Sequence, residues 1–462
     1  MRKLLIALIA AGVFCVVANH APAVEFVPLG QDWIADGISA DGRVVIGFFG
    51  RLRPPIGRWT RQQGWHDLNG LPEDFIGTPR AVSADGSVVA GGGCVLPCLK
   101  GWEPFRWSET GGFQSLAELS RDFSVVISDV SADGSLVVGT GHDLQSDLIA
   151  FYWTETGGLI TLDNLPGHEY ATVSSVSAGG TVIAGWSGIR TGPRGGEADA
   201  LVWTLPGGRL KQLGKLPGAV RSDAFGISPD GTVIVGSSGD LIGASIEAFR
   251  WTEAGGTQGL GHLPGDAVSG ARYVSGDGSV IVGESQSRTE AGLQNRTFIW
   301  DEAHGMRDLK DVLTDAGLDV SGWTLRLPTG LSDDGTKIVG WGYNRGGVEE
   351  SWLVDLSSNI AGDTNGDGVV DAEDLDNVRN HFGAIGPGDG TLDGDAYPFD
   401  GIVNIDDLNA VRNNFGAGAA AAPEPGAGVL AVLGIVVALG ARRYMQPRTR
   451  RPKIARGETP GI

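Results

Sequence analysis

The chain has 462 residues, 75 of them glycine, and a formal net charge of −20 at pH 7. This acidic balance argues against nucleic acid as a partner, because a negatively charged surface repels a polyanion. The seven histidines lie at non-equivalent positions, and neither a Ser-His-Asp order nor a His-Glu-x-x-His pattern can be assembled. The sequence therefore gives no support for a hydrolase of either class.

The first 23 residues predict a signal peptide. Arg2 and Lys3 form a positive start, residues 4–17 form an apolar core, and Ala21-Pro22-Ala23 fits a cleavage site. We expect cleavage after Ala23 and export of the mature chain. Cys15 falls in the discarded part, so Cys94 and Cys98 are the cysteines that remain.

One phrase, Ser-x-Asp-Gly followed by a β-branched run and a Gly, occurs seven times. Its serines are Ser39, Ser83, Ser131, Ser177, Ser228, Ser275 and Ser332, and Gly179 replaces the Asp in the fourth copy. Asp-Gly is a strong hairpin turn between two strands. A third segment ends in Trp, as in 248–251, and a fourth is rich in Leu, as in 210–217. Four short strands per repeat are typical of a propeller blade.

The fold class predicted for residues 24–357 is mainly β, a seven-bladed β-propeller built from seven ~47-residue repeats. The seventh repeat ends without a Leu-rich fourth segment, and residues 24–30 supply a strand that would complete it. Such closure would remove the free edges of the array. An open solenoid of the same hairpins is the alternative, since repeats alone do not prove closure.

The repeat resembles the extracellular HAF-type repeats of bacterial envelope proteins, from Asp36 to about Asp355. The resemblance lies in the Ser-x-Asp-Gly-x-Val-x-x-Gly phrase, the x-Phe-x-Trp segment and the Leu-Gly-x-Leu-Pro-Gly segment at 213–218 and 260–265. The His that precedes Ala-Phe in that family is absent from every copy. The resemblance implies a secreted, propeller-like module of largely unassigned activity.

Few side chains in the repeats are candidates for metal binding, disulfide formation or ligand binding. Cys94 and Cys98 favour a local disulfide or free thiols over a metal site. One Trp per repeat is typical of a core position, whereas aromatic rings outside the pattern could stack on sugars. Those are Trp33, Trp65, Trp102, Trp186, Trp323 and Trp341. The longest insertions, at 191–199, 284–296 and 311–323, could also carry function, because loops do so on rigid scaffolds.

Residues 361–416 are strongly acidic, with 12 Asp or Glu and 2 Lys or Arg. Residues 363–374 fit a twelve-residue calcium loop, with Gly at position 6 for the sharp turn. Its oxygen ligands would come from Asp363, Asn365, Asp367, Asp371 and Asp374 and from the carbonyl of Val369. The alternative is a disordered acidic linker.

A second copy of this loop follows, if 396–399 carry a three-residue insertion. Its ligands would be Asp393, Asp395, Asp400, Asn404 and Asp407, with the carbonyl of Ile402. Each loop leads into a helix with Leu, Val and Phe on one face, at 374–383 and 407–416. This duplicated loop–helix pair resembles a type I dockerin. The resemblance implies two Ca²⁺ ions, a cohesin-like protein partner and frequent company with polysaccharide-degrading enzymes.

The C-terminal region contains a predicted targeting segment. A Gly/Ala-rich linker at 417–425 overlaps a segment at 423–444 that contains Pro-Glu-Pro, an apolar run and two arginines; a basic tail follows at 445–462. Segment 423–444 resembles a PEP-CTERM sorting signal, which implies contact with the membrane through the apolar helix and removal by an exosortase-type enzyme. A permanent single-pass anchor is the alternative, with its basic end cytoplasmic.

Together these features predict an exported, surface-associated, non-enzymatic binding or scaffold protein that docks to a cohesin-like partner through calcium. The alternative is a polysaccharide-active enzyme or a glycan-binding subunit tethered by the dockerin-like module. Hydrolysis would need a pair of carboxylates, and no spacing in the sequence forces such a pair together.

Overall fold

The computed structural model describes residues 24–50, 55–99, 102–120, 124–142, 148–190, 196–240, 245–289, 292–357, 372–382, 403 and 405–414. In these residues the chain is mainly β, as predicted. It divides into two compact units, 1–359 and 360–462, which are described separately. The predicted signal peptide, the 417–425 linker, the 423–444 segment and the 445–462 tail lie outside the described residues.

After an N-terminal strand, β1 (Glu25–Gln31), the first three repeats each form a four-stranded antiparallel sheet in chain order. The alternation of small or β-branched residues with turns at Asp-Gly favours these short strands. The strands are β2 (Trp33–Ile38), β3 (Val45–Phe49), β4 (Ile56–Thr60), β5 (Gly64–Asp67), β6 (Phe75–Val82), β7 (Val88–Val95), β8 (Glu103–Ser108), β9 (Gly112–Ser115), β10 (Ser124–Val130), β11 (Leu136–His142), β12 (Leu148–Thr154) and β13 (Gly158–Thr161). A 3₁₀ turn at Ala117–Ser120 precedes β10.

The next three repeats form three further four-stranded meanders. Single parallel bridges, Ala198 to Arg221 and Ile246 to Val268, join them into one twelve-stranded sheet. The strands are β14 (Tyr170–Val176), β15 (Val182–Gly188), β16 (Ala198–Thr204), β17 (Arg209–Gln212), β18 (Arg221–Ile227), β19 (Val233–Gly239), β20 (Ile246–Thr252), β21 (Gly256–Gly261), β22 (Val268–Val274), β23 (Val280–Thr289), β24 (Gly292–Asp301) and β25 (Gly305–Asp308).

The last repeat takes its fourth strand from the N-terminus. A short helix, α1 (Leu309–Asp315), leads to β26 (Thr324–Leu331), β27 (Lys337–Tyr343) and β28 (Glu349–Asp355). Strand β1 pairs antiparallel with β28, with Glu25 opposite Asp355 and Pro28 opposite Trp352. The pairing expected for the N-terminal strand is therefore present.

A buried serine organises each repeated turn. In all seven copies its hydroxyl accepts a hydrogen bond from the backbone N–H five residues later, as from Leu136 to Ser131 at 3.0 Å. Where the Asp is present, the same hydroxyl donates to it, at 2.7 Å from Ser131 to Asp133. The Gly that follows takes a positive φ, +68° at Gly134, which other residues adopt only with strain. The four-residue phrase thus specifies the hairpin between the first two strands of each repeat.

Backbone hydrogen bonds connect these turns in a cyclic order. In six of the seven repeats the residue after the serine donates its N–H to the equivalent carbonyl of the next repeat, and Asp333 of the last repeat donates to Ala40 of the first, at 2.8 Å. In one series each residue donates to the next: Ala40, Ala84, Ala132, Ala178 and Pro229. In the other series Gly276 donates to Asp333, and Asp333 donates to Ala40. Pro229 has no N–H, so it cannot donate to the next turn.

Apolar clusters fill the spaces between neighbouring sheets. One of them joins Ala81 and Ala90 of the second repeat to Ile127, Phe151 and Trp153 of the third. The Trp of the third strand is buried in most repeats: Trp59, Trp107, Trp153, Trp203, Trp251 and Trp352. Its indole N–H can reach back to the preceding repeat, as from Trp107 to the Asn69 carbonyl at 2.7 Å. The prediction that the repeated Trp is a core residue is confirmed at these positions.

The second unit contains two described helices, α2 (Ala372–His381) and α3 (Ile405–Asn414). Val378 and Val411 are fully buried together with Val403, and Leu375 and Leu408 pack against them. The Leu and Val positions of the two predicted helix faces therefore meet, whereas Phe382, which the sequence predicts on the same face, follows the end of α2 and is 57% exposed. In neither unit do the described residues include a helix long and apolar enough to cross a membrane.

The fourth turn offers a test of the turn chemistry. Gly179 stands where the other turns have Asp, and an ideal Cβ placed there meets nothing closer than 4.0 Å. We expect Gly179→Asp to raise the free energy of unfolding by about 1 kcal/mol, because the new carboxylate would accept from Ser177. Thermal unfolding of the full chain measures the change. Gly180→Asp is the matched control and should destabilise, because Gly180 has a φ of +67°. An unchanged or lower melting temperature for Gly179→Asp would contradict the assigned role of the Asp.

Leu29 tests the contribution of β1. Its side chain is 3% exposed and clusters with Leu353 of the last repeat and Val45 of the first. We expect Leu29→Ala to reduce the free energy of unfolding by about 2–5 kcal/mol, through lost burial and a residual cavity. Ile160→Ala is the control on another outermost strand, where the side chain is 40% exposed, and its effect should stay near 0.5 kcal/mol. If Leu29→Ala reduced the free energy of unfolding no more than Ile160→Ala does, β1 would be dispensable for stability.

Candidate ligand site in the central cavity

A cavity of about 670 Å³ lies among the first strands of all seven repeats. These strands are β2, β6, β10, β14, β18, β22 and β26, and we refer to the space as the central cavity. Its volume falls in the range of small-molecule sites. The residues between Ser and Asp in the repeated turns, such as Ala40 and Asp333, also line it.

A bulge in each first strand places one side chain on the cavity wall. The pairing register between the first and second strands shifts by one residue, always at the position three before the repeated serine. Such bulges re-aim a side chain out of the alternating pattern. The seven bulged residues all line the cavity: Asp36, Arg80, Ser128, Ser174, Phe225, Arg272 and Thr329.

Asp36 and Arg80 form an ion pair on this wall, with 3.7 Å between Asp36 Oδ2 and Arg80 Nη1. The Asp36 side chain is 18% exposed, and its Oδ2 is buried without a hydrogen-bond partner. Burial raises the pKa of Asp36 to about 6, and the charge of Arg80 offsets only part of that effect. The charge of Arg80 therefore compensates the buried carboxylate only in part.

Arg272 has shorter contacts to its carboxylate partner than Arg80 has. Its Nη2 lies 2.6 Å from Glu284 Oε1, and its Nε lies 2.8 Å from Oε2 of the same carboxylate. The guanidinium carbon is 4.6 Å from the Phe225 ring centroid, within cation–π range. Phe225 in turn meets the Trp186 ring edge to face at 5.9 Å. This side of the cavity thus combines a fixed charge pair with two aromatic rings.

The hydroxyl groups of the residues that line the cavity differ in whether they have a hydrogen-bond partner in the protein. Ser128 donates to the Val173 carbonyl at 2.8 Å, and Ser174 donates to that of Ala224 at 2.7 Å, so both bind the next first strand. The Oγ1 atoms of Thr172 and Thr329 are buried and have no partner in the described part of the chain. Both oxygen atoms have almost no accessible surface, so they are not presented to a ligand in the cavity.

Asp129 also lines the cavity but acts within the scaffold. Its carboxylate accepts from Ser175 Oγ at 2.7 Å and from the backbone N–H groups of Val176 and Val130 at 2.9 and 2.8 Å. Burial raises the pKa of Asp129, although these hydrogen bonds act in the opposite direction. The group connects the third repeat to the fourth.

A Ser, a His and an Asp that the sequence did not connect lie together elsewhere in the fourth repeat. His168 Nδ1 is 2.7 Å from Ser187 Oγ, and His168 Nε2 is 3.5 Å from Asp199 Oδ2. Ser187 is fully buried and accepts the Leu165 N–H, as Ser238 accepts that of Leu216 in the next repeat. A hydroxyl enclosed in this way cannot attack a substrate, so the cluster stabilises the loop above it.

The predicted calcium ligands cannot be placed. Asp363, Asn365, Asp367, Val369, Asp371, Asp393, Asp395, Asp400, Ile402 and Asn404 lie outside the described residues, and of Asp374 and Asp407 only the backbone in α2 and α3 is described. Within the described residues no three His, Cys, Asp or Glu side chains are grouped for a metal. Cys94 and Cys98 form a disulfide.

The tryptophans outside the repeat pattern are distributed over several places. Trp186 reaches the central cavity, Trp323 is buried, and Trp102 is 46% exposed. Trp33 and Trp65 stack on each other with ring centroids 4.2 Å apart. One of the proposed sugar-stacking residues therefore lies at the cavity, and the others do not line it.

The bulged residues themselves were missed from the sequence. A signal was available, because the position three before each repeated serine is different or polar in most copies, whereas the positions four before and one before the serine are apolar in every copy. The bulge could not be inferred, since it breaks the alternation by which a strand face is assigned.

Comparison with known proteins gives a likeness of fold only. No family model matches the chain, and no curated protein matches it. Among solved structures it is similar to oligogalacturonate lyase from Vibrio parahaemolyticus, with 11% identity, 72% of this chain and 93% of that chain covered, and a TM-score of 0.48. It is also similar to the β-propeller domain of the Trilobed protease from Pyrococcus furiosus, with 10% identity, coverage of 71% and 94%, and a TM-score of 0.47. TolB from Acinetobacter baumannii matches with 14% identity, coverage of 68% and 79%, and a TM-score of 0.39. These TM-scores carry no argument about function.

Proposed function

We propose that the protein is an exported, surface-associated binding protein without catalytic activity, built on a seven-bladed β-propeller over residues 24–357. The cyclic order of turn hydrogen bonds and the pairing of β1 with β28 support closure over an open solenoid. In a closed ring only short strands such as β13 (Gly158–Thr161) keep a free edge, which limits edge-to-edge pairing between molecules outside the cell.

The central cavity carries the binding proposal. Seven repeats supply the same scaffold, yet the residues that they turn into the cavity include an acid, two arginines, an aromatic ring and three hydroxyls. A purely structural core position would repeat like its neighbours, as the third-strand Trp does. Non-repeating polar groups at a repeated position therefore favour a ligand site.

The second unit is proposed as a calcium-dependent docking module for a cohesin-like partner. The burial of Val378, Val403 and Val411 at the junction of α2 and α3 supports a paired loop–helix unit over an acidic linker. The predicted loops precede these helices at equivalent positions, and hard oxygen ligands at that density suit Ca²⁺. Export by the signal peptide and sorting through residues 423–444 by an exosortase-type enzyme complete the proposal.

Calcium binding tests the docking module. We expect calorimetric titration of the full chain to detect two Ca²⁺ sites, because each loop offers a full set of oxygen ligands. Asp363→Ala should abolish one site and Asp393→Ala the other. Asp376→Ala, which changes an exposed acid of α2 outside the predicted ligand set, should leave both intact. Absence of calcium binding in the unaltered chain would reduce the region to an acidic segment and remove the docking proposal.

The absence of catalysis is tested separately. We expect no release of reducing ends when the chain is incubated with a panel of plant and bacterial polysaccharides. Asp36, Asp129 and Asp333 line the central cavity, but Asp36 is paired with Arg80 and Asp129 accepts three hydrogen bonds from the scaffold, so no free pair of carboxylates is available for hydrolysis. Turnover that is lost in Asp36→Asn, with an unchanged melting temperature, would overturn the non-enzymatic proposal. Asp315→Asn, at the exposed end of α1, is the matched control.

A further inference from the structure

The accessible charges of the central cavity lie on four consecutive repeats. Asp36 and Arg80 line it in the first and second repeats, and Arg272 and Asp333 line it in the sixth and seventh. The turn of the last repeat hydrogen-bonds to that of the first, so the order around the ring is arginine, acid, acid, arginine. Among the described residues, the remaining acid on the wall is Asp129 of the third repeat, and both of its oxygens accept hydrogen bonds from the scaffold.

Both arginines present unused donors to the cavity. The Arg80 side chain is 50% exposed, and its 3.7 Å contact with Asp36 is too long for a hydrogen bond. The Arg272 side chain is 41% exposed. Its Nε and Nη2 atoms bind Glu284, which leaves Nη1 without a partner among the described residues. Because a guanidinium group carries five N–H donors in a planar fork, each of these side chains can still bind a carboxylate.

The two acids of this sector keep the capacity to accept. Asp333 occupies the second position of the repeated turn phrase, where the other six repeats have Ala, Pro or Gly, so the turn itself does not need a carboxylate there. The residue is exposed, and its carboxylate accepts no hydrogen bond from the described part of the chain. Asp36 is 18% exposed, and since its Oδ2 is enclosed, Oδ1 is the oxygen that a ligand can reach. An ammonium group at this junction can therefore be approached by a carboxylate from each of two adjacent repeats.

The rest of the wall offers an apolar surface. Trp186 of the fourth repeat and Phe225 of the fifth line the cavity with ring centroids 5.9 Å apart, and neither ring is fully buried. Val126 of the third repeat also lines it and is 48% exposed. The Arg272 guanidinium carbon lies 4.6 Å from the Phe225 ring centroid, so this surface begins directly beside the charged sector.

From these observations we infer that the central cavity binds an α-amino acid with an apolar side chain. A charge that enters a cavity loses hydration and must be paired there, and a zwitterion supplies a partner for each sign of charge on the wall. The carboxylate would bind chiefly Arg80, which has no hydrogen bond to give up, and the ammonium group would bind the two acids. The side chain would pack towards Trp186 and Phe225. This inference rests on the proposed binding function and gives it a ligand class.

Calorimetric titration of the full chain with L-phenylalanine, L-leucine and L-methionine tests the inference. We expect L-phenylalanine to bind, and Arg80→Gln to weaken it about tenfold through loss of a charge-assisted contact. Asp333→Ala should weaken it by a similar factor, and the turn should still form because the first four repeats have Ala at this position. Arg61→Gln removes an arginine that is 58% exposed and paired with Glu25 outside the cavity, and should bind as the unaltered chain does. Melting temperatures of the variants separate lost binding from lost folding.

Analogues of phenylalanine separate the contributions of its two charges. Hydrocinnamate keeps the ring and the carboxylate but lacks the ammonium group, whereas phenethylamine keeps the ring and the ammonium group but lacks the carboxylate. We expect each to bind about tenfold more weakly than L-phenylalanine, or less tightly still, because each leaves one sign of charge on the wall without a partner. If either analogue matched L-phenylalanine in affinity, the zwitterionic class would be wrong.

The remaining outcomes distinguish the ligand class from the binding function. Unchanged affinity in Arg80→Gln or in Asp333→Ala would overturn the inferred site. If none of the three amino acids binds but a panel of nucleosides, neutral oligosaccharides and organic acids gives a ligand that Arg80→Gln weakens, the amino-acid inference fails and the binding function of the cavity stands. If no compound of either panel binds, both fail.

Discussion

The hydrogen bond from a backbone N–H to a buried serine hydroxyl, made in every repeated turn, is the contact on which the first unit depends. The N–H of Leu136 would otherwise be an unpaired donor inside the protein, and Ser131 satisfies it while donating to Asp133. Because each turn is fixed in this way, the backbone N–H after the serine can reach the carbonyl of the following turn, except at Pro229, which has no N–H. Local turn chemistry thereby sets the relation between neighbouring sheets.

The bulge next to each turn explains how a repetitive chain can carry a non-repetitive site. The apolar residues one before and two after the bulge keep their places in the clusters between sheets, as Ile127 and Val130 do around Ser128. The bulged side chain is excluded from those clusters, so it can vary without disturbing them. Packing thus constrains the neighbours of Asp36 and Thr329 strongly and constrains these two residues very little.

Much of the fold was accessible from sequence because its signals are local. The Asp-Gly turns, the Val and Ile runs and the Trp of the third strand each report on a few adjacent residues, and the strand that completes the last sheet was indicated by a missing segment. The cavity wall was not accessible, because it joins residues about one repeat apart at positions that break the alternation. Nothing near Thr172 in the sequence indicates that Trp186 lies opposite it, and no spacing connects Asp36 to Thr329. Sequence reasoning could identify Trp186 as unusual, but its surroundings depend on the arrangement of all the sheets.

Closure and the candidate site are therefore coupled. Asp36 belongs to the first repeat and Asp333 to the last, and these two repeats adjoin only because β1 pairs with β28 and the Asp333 N–H reaches Ala40. The hydroxyl of Ser351 strengthens the same junction by accepting the Ala35 N–H and donating to the Trp33 carbonyl, at 2.8 and 2.9 Å. A chain that folded as an open array would keep every turn and nearly every cluster, yet it would separate the acid of the first repeat from the acid of the last. Any ligand that contacts both would bind only the closed form, so by mass action it would also stabilise the closure.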